Sequence, residues 1–279
     1  MLTLLSAELA KTARLARTGI GYAAIAVVVP LILWGLARSG ELLESQFTRG
    51  LEGQFFIVGS MMNGYTAAVI VMNFLWVHIP FLITLVAGDI LSGEAVRGTW
   101  RVWLTRRPSR LRVVAAKYLV AQGYALSLVA LLALVSLGLG LLLMGPGDVL
   151  TVGADGVTLL GEELALPRLA LAYACAGVAM ASVAALAFLV GTLVEHPIGP
   201  IVGSMAVLIV LLALSNLPIE TFAPLRPWLF TSHFDLWSLA LEDPLPWGAI
   251  GRSAGTLAAW TALFTVAAFA VFLRKDILS

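Results

Sequence analysis

The chain reads as an all-α membrane protein: six transmembrane helices behind an N-terminal interfacial helix. Three observations predict this. Of its 279 residues, 60% are hydrophobic and only 12% are charged, whereas soluble domains hold about a quarter charged residues. The apolar residues gather into runs about as long as the ~20 residues that cross a hydrocarbon core. The basic residues are segregated, most of them in two short stretches and the tail.

Taken in order, residues 1–17 (MLTLLSAELAKTARLAR) are too polar to cross a bilayer. Helical spacing puts Leu2, Leu5, Leu9, Ala13 and Ala16 on one face and spreads Glu8, Lys11, Arg14 and Arg17 over the other; Leu4 and Leu15 break the pattern. This predicts a helix lying along the inner leaflet. The apolar run from Gly19 is longer than a signal-peptide core and is expected to be a retained span. The spans are expected at about Gly19–Ala37, Tyr65–Gly88, Val113–Met144, Leu169–Val194, Ile198–Leu217 and Ala249–Leu273. A polar loop, 38–64, joins the first two. The third run is too long for the bilayer, so it is expected to tilt or to project beyond it. The fourth is rich in Ala and Gly, with Gly177-xxx-Ala181 and Ala181-xxx-Ala185 spacings that permit close helix contact.

Two further segments are too polar or too broken to span. Residues 145–167 are acidic with glycine-flanked turns, suited to a small hairpin. Residues 216–248 carry Pro218, Pro224, Pro227, Pro244 and Pro246 beside Trp228, Trp237 and Trp247. Proline and tryptophan together suit short broken helices at the outer interface, or an aromatic belt. There is no internal repeat and no linker, so the whole chain, 1–279, reads as one membrane domain.

Basic residues orient the spans. Lys11, Arg14, Arg17, Arg274, Lys275 and the seven of segment 89–117 lie on one side; Arg38, Arg49, Arg168, Arg226 and Arg252 lie on the other. The positive-inside rule places both termini and segment 89–117 in the cytosol.

Few groups in the spans could carry chemistry. Asn73 and His78 in the second span are the polar exceptions, and an intramembrane ionisable group is a candidate for a transport path. His78 stands two residues before Pro80, which should kink the span. No zinc-protease motif or nucleophile elbow is present, and none of the three lysines follows a glycine as a Walker A loop requires. The single cysteine, Cys175, excludes an intrachain disulfide. The chain is therefore expected to be no enzyme and to have no nucleotide site, and its expected spans hold none of the carboxylates that ion-driven carriers bury. If it transports, its energy comes from another subunit.

Segment 89–117 is the chemically specific part. A helix over 93–104 would align Val96, Trp100, Trp103 and Leu104 on one face. Arg97 and Arg101 lie on another, with Glu94 one turn before Arg97. Such a helix could anchor in lipid headgroups through its tryptophans and arginines. Its residues Gly93, Glu94, Gly98, Thr99, Leu104, Pro108, Ser109, Arg110 and Lys117 also resemble the cytosolic loop of type-2 ATP-binding-cassette (ABC) exporter permeases. In that pattern a Gly-Glu pair, a Gly-Thr pair and a leucine-containing turn ending in Pro and Ser-Arg precede a lysine that opens the third span. The chain departs from it where Trp100 and Trp103 replace aliphatic residues and where Pro108 stands one position late.

The resemblance implies that 1–17 is the elbow helix and that 93–104 is a coupling helix seated in a groove of an ATPase subunit. Gly93, Glu94, Arg97, Gly98, Thr99, Trp100, Arg101, Trp103, Leu104, Pro108, Ser109 and Arg110 would then couple to the ATPase. Substitution at Glu94 or Trp100 is expected to uncouple ATP hydrolysis and leave membrane insertion intact. The implied assembly pairs this permease with a second one, identical or paralogous, and with two cytosolic ATPases that bind the ATP and Mg, in a bacterial cytoplasmic membrane. The expected substrate is hydrophobic or amphipathic: a drug, a peptide or a lipid-like compound. The alternative is a permease that passes force to an exterior partner rather than moving solute. No nucleic-acid partner is expected.

Overall fold

The computed structural model describes residues 1–51, 62–96, 109–153, 156–196 and 198–275. Helix α1 (Leu2–Ala13) leads into α2 (Ala16–Leu51), followed by α3 (Gly64–Leu75), α4 (His78–Ala87) and α5 (Asp89–Val96). Helix α6 (Arg110–Met144) ends in a hairpin of β1 (Val149–Gly153) and β2 (Gly156–Leu160), paired antiparallel from Val149 opposite Leu160 to Gly153 opposite Gly156. Then come α7 (Glu162–Leu193), α8 (Ile198–Asn216), the 3-10 segments Glu220–Phe222, Arg226–Trp228 and Phe230–Leu241, and α9 (Trp247–Arg274).

Five helices are long and apolar enough to cross a membrane: the 16–39 part of α2, and α6, α7, α8 and α9. A sixth candidate is a bent pair, in which α3 meets α4–α5 at 58°. The chain is a multi-pass membrane protein. The bend falls at Trp76–Val77, where the sequence places it: Pro80 has no N–H, and its ring crowds the carbonyl four residues earlier, that of Trp76. The hairpin forms within 145–167 as expected, and 216–248 is built of short 3-10 segments.

Two boundaries differ from expectation. Helix α2 runs on to Leu51 instead of giving way to a loop at Arg38. Residues 41–49, ELLESQFTR, contain neither Gly nor Pro, and their polarity says nothing against helix once they lie beyond hydrocarbon. The fourth span also starts early, at Glu162, since nothing in its charged first turn opposes a helix.

Helix α7 is the hub. Across its most apolar window 72% of residues are buried, against 17–28% for the other four long helices. Its small side chains admit neighbours on nearly every side. The tightest approach lies outside the 177/181/185 spacing: a Cβ on Gly191 would sit 2.5 Å from the Gly88 carbonyl oxygen. At the far end of the bundle α3 crosses α6 the same way, and a Cβ on Gly140 would sit 2.7 Å from the Gly64 carbonyl oxygen. Since backbone cannot step aside, Gly140→Ala is expected to destabilise the protein by about 1–3 kcal/mol. Gly123→Ala, with nothing within 4 Å, should leave it unchanged or slightly more stable. Thermal unfolding of both variants in detergent checks this; equal midpoints would count against the crossing.

That far end is also pinned by hydrogen bonds. Asn63 Oδ1 caps α3 by accepting from the Tyr65 and Thr66 amides at 3.0 Å each, and its Nδ2 donates to the Asp148 carbonyl at 2.6 Å. Gly145 ends α6 at φ +71°, a conformation that favours glycine, and its carbonyl accepts from the Gly64 amide at 2.8 Å. Arg168, near the start of α7, donates to Asp243 Oδ1 at 3.0 Å and to the Glu242 carbonyl at 3.2 Å, tying α7 to the turn before α9. Of the three tryptophans singled out in 216–248, Trp237 packs inside against Trp76, with ring centroids 5.9 Å apart, while Trp228 and Trp247 stay exposed.

Candidate functional site

Helices α1, α5 and the first turns of α6 meet at the opposite end of the bundle, where segment 97–108 enters and leaves. Four charges are brought together there. Lys117 Nζ on α6 lies 2.9 Å from Glu8 Oε2 on α1 and 2.8 Å from Glu94 Oε1 on α5. Lys11, one turn after Glu8, pairs with Glu94 and lies 3.7 Å from Glu8 Oε2. Lys117 and Glu94 are 0% exposed and Glu8 is 1% exposed. Two carboxylates against two ammonium groups leave the cluster neutral, which is the condition for burying charge without a large desolvation cost.

A second pair extends the cluster. Arg17, at the start of α2, pairs with the buried Asp89, the first residue of α5. Gly93 makes room for it: a Cβ there would sit 2.7 Å from Asp89 Oδ1. The adjacent Gly93-Glu94 thus has a local physical reason. Glycine clears the Asp89 carboxylate, and glutamate meets Lys117. Thr18 Oγ1 closes the α1–α2 corner by donating to the Thr12 carbonyl at 2.6 Å.

The C-terminal end of α9 joins the same end of the bundle. Arg110 donates to the Lys275 carbonyl at 3.0 Å. Lys275 Nζ lies 3.1 Å from Glu195 and donates to the Thr192 carbonyl at 3.3 Å. Ser109 occupies the N-cap position of α6, with no side-chain cap hydrogen bond, and its carbonyl accepts from the Val113 amide at 3.2 Å.

The residues predicted from sequence divide accordingly. Gly93, Glu94, Ser109 and Arg110 flank the entry and exit of the segment, and Lys117 lies one helical face further on. Arg97, Gly98, Thr99, Trp100, Arg101, Trp103, Leu104 and Pro108 lie outside the described residues. Glu94 faces no surface, so its replacement is expected to reach the fold as well as any coupling. Asn73 and His78 are held apart from this cluster, on the outward face of the α3–α4 bend. Asn73 Nδ2 donates to the Val69 carbonyl at 3.3 Å, and His78 Nδ1 lies 3.0 Å from the Phe74 carbonyl. Each makes one hydrogen bond within its own helix. Among the described residues, no group of three or more His, Cys, Asp or Glu side chains is placed to hold a metal ion.

Sequence reading missed Glu8 and Asp89 as members of the site. It also left unread a second face of α1, the one that packs against the bundle. Leu2 and Leu9 are exposed, and the face buried against the bundle carries Glu8 and Thr12, with Leu4 beside them. Leu4, Glu8, Lys11 and Thr12 follow helical spacing, so the residue that spoiled the apolar stripe marks a second, docking face. A charged residue in line with a misplaced leucine was the available signal.

The arrangement defines a class: a multi-pass helical membrane protein whose basic inter-helix segment is rooted in a buried, charge-balanced corner. Residues 23–278 match the family described as a protein of unknown function, DUF2705, and the chain belongs to that family. No curated protein matches it.

Proposed function

We propose that the chain is the membrane-spanning permease subunit of an ATP-driven exporter of the type-2 ABC class. Segment 93–104 is its coupling helix and 1–17 its elbow helix. The observation that carries the reading is the buried corner Glu8–Lys117–Glu94–Lys11. A segment that receives force from an ATPase needs a stiff root, and these ion pairs join the segment's first helix to both α1 and α6. ATP binding by two cytosolic partner ATPases would move the two coupling helices, and each permease would follow as a body.

Six spans with both termini in the cytosol, in a bacterial cytoplasmic membrane, suit this role. The second permease, identical or paralogous, would cover the outward face of the α3–α4 bend. Asn73 and His78 are exposed there beside Phe74, Val77 and Phe81, and polar groups facing hydrocarbon are costly unless covered. The path for a hydrophobic or amphipathic substrate would run along that interface. The exposed Trp228 and Trp247, with the hairpin, favour a second reading in which an exterior partner receives the motion.

Purification of the tagged chain from its own membrane is expected to bring down a Walker-A ATPase in equimolar amount, and vesicles holding both should show ATP-dependent substrate movement. A chain that purifies with no ATPase overturns both readings. ATPase coupling with no solute movement in vesicles, where an exterior partner restores function, would select the second.

A further inference from the structure

The hub helix α7 is covered on almost every side except along one strip. There α6 and α9 both lean on α7 but diverge from each other, leaving an open groove of about 560 Å³. Ala174, Gly177 and Ala181 of α7 form its floor. Leu126 of α6 and Ala258 and Ala262 of α9 form its sides. All three walls belong to candidate spans, so the groove opens toward hydrocarbon.

One end of the groove is shut and polar. Tyr118 Oη on α6 and Thr265 Oγ1 on α9 are 2.6 Å apart, and Gln122 Nε2 donates to Tyr118 Oη at 2.9 Å and to the Ala181 carbonyl at 3.2 Å. Phe188 and Phe269 stand edge-on to the Tyr118 ring. Proton counting gives this end a definite character. Thr265 also lies 2.6 Å from the Thr261 carbonyl and has a single hydroxyl proton. Both short contacts form only if Thr265 donates to Thr261 and Tyr118 donates to Thr265. The two amide N–H groups of Gln122 are likewise spent. The donors of this end are thus committed, while oxygen lone pairs remain, including those of Gln122 Oε1, for which no donor is seen among the described residues.

Depth fixes the rest. Helix α6, at 35 residues about 52 Å long, overshoots a hydrocarbon core of about 30 Å, and the charged corner that marks the edge of that core includes Lys117, the residue directly before Tyr118. From Tyr118 the groove runs about 12 Å to Leu126, less than the half-thickness of about 15 Å, so it occupies one leaflet, with its polar end toward the charged end of the bundle. Lys117, the residue before Tyr118, is fully buried on Glu8 and Glu94, and among the described residues no lysine or arginine lines the groove to neutralise a phosphate.

We infer that the α6–α7–α9 groove binds one single-chain lipid with a hydroxyl head group. Its chain lies over Ala174, Gly177 and Ala181, and its hydroxyl donates at the Gln122–Tyr118 end. A length confined to one leaflet, a volume that takes a chain rather than a helix, and an acceptor-only head site together argue for this occupant. The inference needs only the membrane-spanning reading and stands apart from the ATPase.

The test uses the full chain in phosphatidylcholine nanodiscs and two probes: hexadecanol carrying a tail diazirine, and its methyl ether. Photolabelling is expected on residues 174–181 and 258–266, with the alcohol labelling at least tenfold more than the ether. Unlabelled hexadecanol should compete, and Gln122→Leu should erase the preference for alcohol. Ala262→Phe should fill the groove and abolish labelling without shifting the unfolding midpoint, because residue 262 is exposed; Ala258→Leu serves if that variant fails to fold. Equal labelling by both probes, labelling spread over all exposed spans, or labelling undiminished by groove filling overturns the inference. Efficient Val178→Cys cross-linking between two copies would overturn it too, since a protein would then cover the strip.

Discussion

Lys117→Met is expected to destabilise the folded chain by about 3–5 kcal/mol, the cost of leaving a buried charge without its partner. Lys117 is 0% exposed and contacts both Glu8 and Glu94 at under 3 Å. Methionine keeps most of the volume but leaves two carboxylates to one remaining ammonium, Lys11. Adding Glu8→Gln restores neutrality, with Lys11 still paired to Glu94, and should recover a large part of the loss. The measurement is a double-mutant cycle on thermal unfolding in detergent, read by tryptophan fluorescence. A Lys117→Met protein that unfolds within about 1 kcal/mol of the parent, well short of the cost of breaking a buried pair, would show that the corner contributes little. Glu94→Gln should fall between the two, since it removes a charge but keeps a hydrogen-bonding group.

Removing both tryptophans of the central segment, Trp100→Ala with Trp103→Ala, is expected to abolish stable association with the ATPase. Tryptophans at the centre of an interface commonly contribute 2 kcal/mol or more each, which is about thirtyfold in affinity per residue. Glu94 stands in the buried corner, whereas the coupling reading gives the two tryptophans a role in the interface alone, so on that reading the unfolding midpoint should be unaffected. Co-purification of the ATPase with the double variant, compared at equal membrane abundance, reads the result. If the ATPase remains bound and the variant instead inserts poorly, the tryptophans serve the headgroup layer and the coupling assignment fails.

Much of the architecture was open to sequence reading because the bilayer reduces it to length, apolarity and charge. The bend of the second span at Pro80, the hairpin of 145–167 and the short segments of 216–248 follow from proline, glycine and turn chemistry within a few residues. Glu94 and Lys117 were legible as marks of the central segment, though their roles were not. Read singly, a glutamate next to an arginine-rich stretch looks like an exposed coupling residue. Only contact across a separation of 23 residues makes the pair a buried ion bridge. Glu8 was further still from recognition, being one acid on a helix that seemed to need only lipid.

What the sequence by itself determined is that this chain crosses a membrane many times, which stretches are long and apolar enough to do so, and which short basic stretch stands apart from them. Those features depend on composition within a window of about one span, and they survive any arrangement of the helices. Tertiary structure decided which face of α1 is buried, which glycines bring backbones into contact, and that α7 is the hub. It also decided that α6 and α9 part over α7 to leave a groove closed by Tyr118 and Thr265. These depend on which helices become neighbours. In a chain where nearly every span is apolar all round, local pattern does not encode that choice.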